Sequence, residues 1–172
     1  MSLPNDPAEL TAYSPMWPAV FDIERERLLQ IFGADAVVIE HIGSTAVPGL
    51  GAKPIIDVLL GAPVLEIVER VMPQLAADGY RYVPEFEKAF PGRRYFVKPD
   101  GQPGHFALHA VVMGSPFWRE HLAFRDALRG DAALAEEYWR LKRRLASRHP
   151  NDRAAYAEAK ATFIRSVVDR SR

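Results

Sequence analysis

A loop that no long helix can absorb divides the first third of this sequence. Gly43-Ser44-Thr45-Ala46-Val47-Pro48-Gly49-Leu50-Gly51-Ala52-Lys53-Pro54 holds three glycines and two prolines, too many helix breakers for more than one helical turn. It is preceded by the β-branched run Val37-Val38-Ile39, closed by Glu40-His41-Ile42, and followed by Ile55-Ile56-Asp57-Val58-Leu59-Leu60. Both flanks read as strands. Small residues after a strand let backbone N–H groups point at an anion while the Ser44 and Thr45 hydroxyls also donate. Two common phosphate fingerprints are excluded. Neither Gly43 nor Gly49 leads into Lys-Ser/Thr, and the run from Gly49 to Pro54 lacks the last glycine of a dinucleotide loop. A turn-rich connection with a type II Pro48-Gly49 turn fits the same composition.

Asp57 stands within the second apolar strand, where an unpaired carboxylate is strongly disfavoured, so it calls for a cation, an arginine or backbone donors. Strand alternation puts Asp57 on one face with Ile55 and Leu59 and sends Ile56, Val58 and Leu60 into the main core. Lys53, just before this strand, either reaches the same phosphate or is solvated.

Elsewhere Val20, Phe21, Ile23, Leu28, Ile31 and Phe32 recur at helical spacing and predict a helix over 17–32, ended by Gly33. Gly61-Ala62-Pro63 starts another, whose Val64, Leu65, Ile67, Val68, Val71, Met72 and Leu75 make one broad apolar face up to Asp78-Gly79. Segments 80–83 and 94–98 read as strands joined by a charged stretch, and Pro99-Asp100-Gly101 is a turn leading to a strand over 106–113. From Pro116 the pattern is helical, broken near Gly130-Asp131 and near His149-Pro150-Asn151-Asp152. No repeat, low-complexity linker or shift in composition marks a second unit. The expectation is an α+β fold over residues 1–172 as a single domain, with a mixed β-sheet and a helical C-terminal third.

Composition narrows the function. The 172 residues, 48% hydrophobic and 26% charged, are ordinary for a globular chain. Lys plus Arg and Asp plus Glu each number 22, so no global positive field exists to hold nucleic acid or an anionic membrane, and any anion site must be local. The lack of cysteine removes disulfides, thiolate nucleophiles and cysteine-ligated metals. Residues 1–9 carry Asp6 and Glu9 instead of a basic region feeding an apolar run, and no stretch approaches the roughly 20 apolar residues that span a bilayer. A soluble, unprocessed, cytoplasmic chain is expected.

The segment from Glu40 to Leu50, followed by Ala52-Lys53-Pro54-Ile55-Ile56-Asp57, resembles the signature of the GrpB family. Tyr13-Ser14-Pro15-Met16-Trp17, Leu108-His109-Ala110-Val111-Val112, Phe124-Arg125-Asp126-Ala127-Leu128-Arg129, Tyr138 with Leu141-Lys142, and Tyr156 with Lys160 and Phe163 extend the resemblance over nearly the whole chain. It implies a polymerase-β-type nucleotidyltransferase fold. The same domain occurs fused behind dephospho-coenzyme A kinase in some bacteria, which implies a nucleotide-related setting and a link to coenzyme A biosynthesis. The motif of that fold is Gly-Ser or Gly-Gly, a spacer, then Asp-x-Asp on a strand with a third acid on a later strand. Gly43, Ser44 and Asp57 match. In such a motif, alternate carboxylates hold two Mg²⁺ ions that clamp the attacking and leaving oxygens of a phosphoryl displacement. Here the second position is Leu59, and the strand over 106–113 offers His109, on the face of Ala107 and Val111, with no carboxylate. Asp57 and His109 are therefore the candidate catalytic residues and the candidate ligands of one divalent cation, Mg²⁺ or Mn²⁺. A second metal would need a carboxylate from elsewhere, such as Glu40.

The remaining polar residues sort by spacing. His105 and His109 lie about 13 Å apart on a regular strand and cannot share a metal. His41 reads as a packed, hydrogen-bonded residue, and His121 as core edge beside Phe117, Phe124 and Leu128. Arg93, Arg94 and Lys98 charge one strand. Arg94 and Lys98 share a face that would neutralise phosphates if it looked onto the glycine loop, and would otherwise be a solvated edge. The basic run of Arg140, Lys142, Arg143, Arg144 and Arg148 follows Glu136 and Glu137 at pairing distance and reads as a solvated helix face. Tyr138 with Lys142 and Tyr156 with Lys160 are each four apart, which places lysine beside tyrosine either on a shared surface or by packing alone. Phe124-Arg125-Asp126 suggests a buried aromatic next to an ion pair.

The function expected is that of a nucleotidyltransferase-like protein binding a nucleotide or other phosphorylated small molecule. Gly43, Ser44, Thr45, Lys53, Arg94 and Lys98 would meet phosphate, and Asp57 would hold a cation. The alternatives are a binding or regulatory module that keeps the fold without two-metal chemistry, and a scaffold acting through its helical tail.

Overall fold

The computed structural model describes residues 10–99 and 104–171. Residues 1–9 and most of the turn at Pro99-Asp100-Gly101 lie outside them. Helix α1 (Trp17–Phe32) carries Pro18 in its first turn, where a missing N–H is harmless, and ends at Gly33, whose N–H returns to the Leu29 carbonyl. The five strands among the described residues are β1 (Val38–Ile42), β2 (Ile55–Ala62), β3 (Arg81–Tyr82), β4 (Arg93–Lys98) and β5 (His105–Val112). They form one sheet in the order β1-β2-β5-β4-β3, parallel only between β2 and β5. The fold is α+β with a mixed sheet, as the sequence pattern leads one to expect.

The apolar face that reads as one helix is two, α2 (Leu65–Arg70) and α3 (Met72–Ala77). Pro73 has no N–H to offer the Glu69 carbonyl, so the first helix stops and the proline starts the second. On this side of the sheet Ile56, Val58, Leu60, Phe96, Phe106 and Leu108 pack against Phe21, Leu28 and Phe32 of α1 and against Val68 and Leu75. Glu24 is fully buried in the same layer, where Tyr80 donates to its Oε1 at 2.7 Å and Lys98 at 2.9 Å.

Helix α4 (Pro116–Gly130) covers the opposite face, setting Phe117, Trp118 and Leu122 over Ile42, Leu59 and Val111. Helices α5 (Ala132–Arg148) and α6 (Arg153–Arg170) complete the C-terminal third. The two breaks in the helical pattern are N-caps: Asp131 accepts from Leu134 N–H and Asp152 from Ala155 N–H, each at 3.0 Å. Phe124, Leu128, Tyr138, Val167 and Val168 of these helices pack onto Val47 and Leu50. The glycine-rich loop is thereby held between the sheet and the helical third.

Candidate functional site

The loop leaves β1 at Gly43 and makes a short 3₁₀ turn, Ser44–Ala46. Gly43 has φ of 73°, and a Cβ there would lie 2.6 Å from Asp57 Oδ2, so only glycine permits the turn and the close approach of the carboxylate. A Cβ on Gly51 would meet the Trp139 ring at 2.6 Å, which is how α5 comes down onto the far end of the loop.

In the parallel register Asp57 pairs with Ala107 and Leu59 with His109, so Asp57 and His109 share a face. His109 Nε2 lies 3.1 Å from Asp57 Oδ1, and its Nδ1 lies 3.2 Å from Arg93 Nη1. A guanidinium only donates, so Nδ1 accepts from Arg93 and Nε2–H donates to Asp57. Arg93 is itself set among the rings of Phe90, Tyr95 and Phe117, with its guanidinium carbon 4.8, 5.0 and 5.4 Å from their centroids. The partner that Asp57 requires is thus an imidazole held from behind by an arginine.

Across the loop, α5 and α6 contribute what the spacing rules undervalued. Lys142 is buried, and its Nζ donates to Ser44 Oγ and to the Gly51 carbonyl, each at 2.9 Å. Its ammonium lies 5.0 Å from the Tyr138 ring centroid. Burial, reinforced by the charge of Lys160 and opposed by Asp57, brings Lys142 down to about 7. Burial also lowers Lys160, and it pushes the phenol of Tyr138, hydrogen-bonded to Ser44, upward. Ser44, Thr45, Lys53, Asp57, Tyr138, Lys142, Tyr156 and Lys160 line one cavity of about 90 Å³. The signal for α5 and α6 was the repeated Tyr-x-x-x-Lys spacing, and Lys142 belongs to this cavity, not to a solvated basic face.

Arg94 and Lys98 are not brought to the loop, contrary to expectation. They stand on the core face of β4, opposite Ala110 and Phe106. Arg94 pairs with Glu69 at 2.8 Å, and Lys98 with Glu24 at 2.9 Å and Asp78 at 2.7 Å. It is Arg93, one residue away, that faces the site. Glu40 is also committed elsewhere, accepting from Arg125 at 2.6 Å. His41 is packed as expected, stacked on Phe21 with its Nε2 2.9 Å from Thr45 Oγ1.

The donors do not fit a two-metal centre. Leu59, where the second carboxylate of the motif would stand, is fully buried beneath α4. Both ring nitrogens of His109 are engaged. No group of three His, Cys, Asp or Glu among the described residues could hold a metal ion. The positive charge of the cavity comes from lysines.

The GrpB protein family matches residues 7–170. UPF0157 protein YqkA of Bacillus subtilis is 37% identical over 98% of this chain, which spans 48% of that protein, about half its length. The crystal structure of GrpB from Enterococcus faecalis superposes with a TM-score of 0.81 at 35% identity, covering 94% of this chain and 96% of that one. Dephospho-CoA kinase of Mycolicibacterium paratuberculosis is 28% identical over 96% of this chain and 46% of its own length. Cid1 poly(U) polymerase shares the fold, with a TM-score of 0.55 at 14% identity over 81% of this chain and 44% of that one. No helix among the described residues is long and apolar enough to cross a membrane.

Proposed function

The chain belongs to the GrpB family, and from that membership and the cavity beside its glycine loop we propose that it binds a nucleotide or other phosphorylated small molecule there. The observation that carries this reading is Lys142 Nζ at 2.9 Å from Ser44 Oγ with Lys160 in the same cavity. A buried and a half-buried ammonium facing an anion-seeking loop repel each other until an oxyanion comes between them. The nucleotidyltransferase fold shared with Cid1 poly(U) polymerase, an enzyme selective for UTP, favours a nucleotide. The dephospho-CoA kinase relatives favour a coenzyme A precursor as one candidate. Leu59 in the place of a metal-binding carboxylate favours a binding module over a two-metal transferase.

Thermal unfolding with nucleoside mono-, di- and triphosphates and with coenzyme A precursors tests this reading. A stabilising ligand raises Tm by mass action, and Lys142→Met is expected to abolish the rise while leaving the unliganded protein folded. Unchanged Tm with every phosphorylated compound would refute the proposal.

Binding should also fall with rising pH. Lys142 loses its proton as pH passes about 7, and a bound anion favours the protonated form. Affinity is therefore expected to drop by up to about tenfold per pH unit between the free and the ligand-raised pKa. Lys160, Asp57, Lys53, Tyr138 and Tyr156 face the same cavity. Calorimetric titration between pH 6 and 9 checks the slope, which should flatten in Lys142→Met.

A further inference from the structure

Resting on the reading that this cavity takes phosphate, we infer that its ligand is a phosphomonoester dianion on a hydroxyl-bearing body, held without a divalent cation. Nucleotidyltransferase chemistry brings a triphosphate together with two metals, and the metals need carboxylates on alternate residues of one strand. In β2 those positions are Asp57 and the fully buried Leu59. Asp57, the only acid lining the cavity among the described residues, accepts a hydrogen bond from His109, and that imidazole is held from behind by Arg93. A triphosphate would bring about four negative charges to a cavity that contains a carboxylate and has no bridging metal set.

The cavity measures about 90 Å³ and opens to solvent, so it seats a phosphoryl group with the rest of the ligand at its mouth. Lys142 has three N–H donors and uses two, on Ser44 Oγ and the Gly51 carbonyl, so one remains for the ligand. Lys160 and the hydroxyls of Tyr138 and Tyr156 line the same space. The lysines lining the cavity outnumber its aspartate, so the space favours an anion. Asp57 repels an oxyanion, yet its carboxylate has lone pairs beyond the one given to His109. The body of the ligand must therefore present a donor beside the phosphate, as a sugar hydroxyl does.

The test uses the full chain at pH 6, where Lys142 is protonated, with inorganic phosphate, ribose 5-phosphate and adenosine triphosphate as probes, each with chelator and with Mg²⁺. Ribose 5-phosphate is expected to bind equally well in chelator and in Mg²⁺ and, counted per dianion because both probes are only partly dianionic at pH 6, about tenfold or more tighter than inorganic phosphate, the worth of one good hydrogen bond to a charged acceptor. Asp57→Asn removes the repulsion and should tighten inorganic phosphate several-fold, whereas a metal-dependent site would lose binding in that variant. Lys142→Met and Lys160→Met should each weaken both small probes, which keeps the test decisive if Asp57→Asn does not fold. Equal affinity for phosphate and ribose 5-phosphate would overturn the hydroxyl requirement. Binding confined to the triphosphate with Mg²⁺, and lost in Asp57→Asn, would overturn the inference and leave the nucleotide-binding reading standing. Silence from all three probes would overturn the inference, and silence from the nucleotides and coenzyme A precursors as well would bring down both.

Discussion

Lys98→Met is expected to destabilise the protein by about 3 kcal/mol, because it leaves a buried carboxylate without its cation. Glu24 is fully buried on α1, and its Oε1 accepts from both Lys98 and Tyr80. Arg27 approaches the other oxygen only at 3.5 Å and is itself 41% exposed, so it compensates weakly. Lys98 also holds Asp78 at 2.7 Å, tying the end of α3 to β4. For a chain of this length the loss should lower Tm by about 10 °C. The double variant Glu24→Leu with Lys98→Met should recover part of it, since no charge is then left unpaired in the core, while the buried Tyr80 hydroxyl loses its acceptor. Denaturant titration of the wild type, Lys98→Met, Glu24→Leu and the double variant measures the coupling. A single Lys98→Met that costs less than about 1 kcal/mol would show that Tyr80 and Arg27 suffice for Glu24.

The same lysine shows where the sequence misleads. Arg94 and Lys98 do share a face, as alternation requires, but alternation does not say which face. That is decided by β5, which sets Arg94 against Ala110 and Lys98 against Phe106 on the core side and leaves Arg93 against Val111 on the site side. Asp57 and His109 were legible as candidates because each is a polar residue in an apolar strand. Their contact depends on the parallel register between strands 52 residues apart, which no local pattern records. Lys142 was hidden by its arginine neighbours. Tyr138, Lys142 and Leu145 form one buried stripe at helical spacing, and following that stripe would have separated Lys142 from a charged run that is otherwise exposed, as the Arg140–Glu136 pair is. The kink at Pro73 was readable from the proline alone. The glycine loop, the strand behind it and the two breaks in the C-terminal helical pattern were legible because their chemistry is local.

The protein is also expected to lose stability steeply between pH 6.5 and 4, beyond the loss from its carboxylates, because two histidines, His41 buried and His121 half-buried, are held neutral. His41, stacked on Phe21, is brought down to about 4 by burial, with the charge of Asp57 opposing and Arg129 and Arg125 reinforcing. His121, stacked on Phe117 with its Nδ1 2.8 Å from the Phe117 carbonyl, is brought down to about 4 mainly by burial and next by His109. In the unfolded chain both take up a proton near 6.5. Between the two values the unfolded state binds more protons than the folded one, so stability falls as pH falls, and the loss is complete once the folded groups titrate. At pH 4.5 each histidine should account for about 2–3 kcal/mol. His121→Phe keeps a ring against Phe117 and removes the ionisable group. It should be less stable than wild type at pH 7, where the bond to the Phe117 carbonyl is lost, and more stable at pH 4.5, so the two curves cross. His41→Phe should flatten the profile likewise, with a larger cost at neutral pH from the unpartnered Thr45 hydroxyl. Curves that run parallel from pH 7 to 4.5 would mean that these imidazoles take up a proton as readily in the folded protein as in the unfolded chain, and that the burial around α1 and α4 does not exclude their charge.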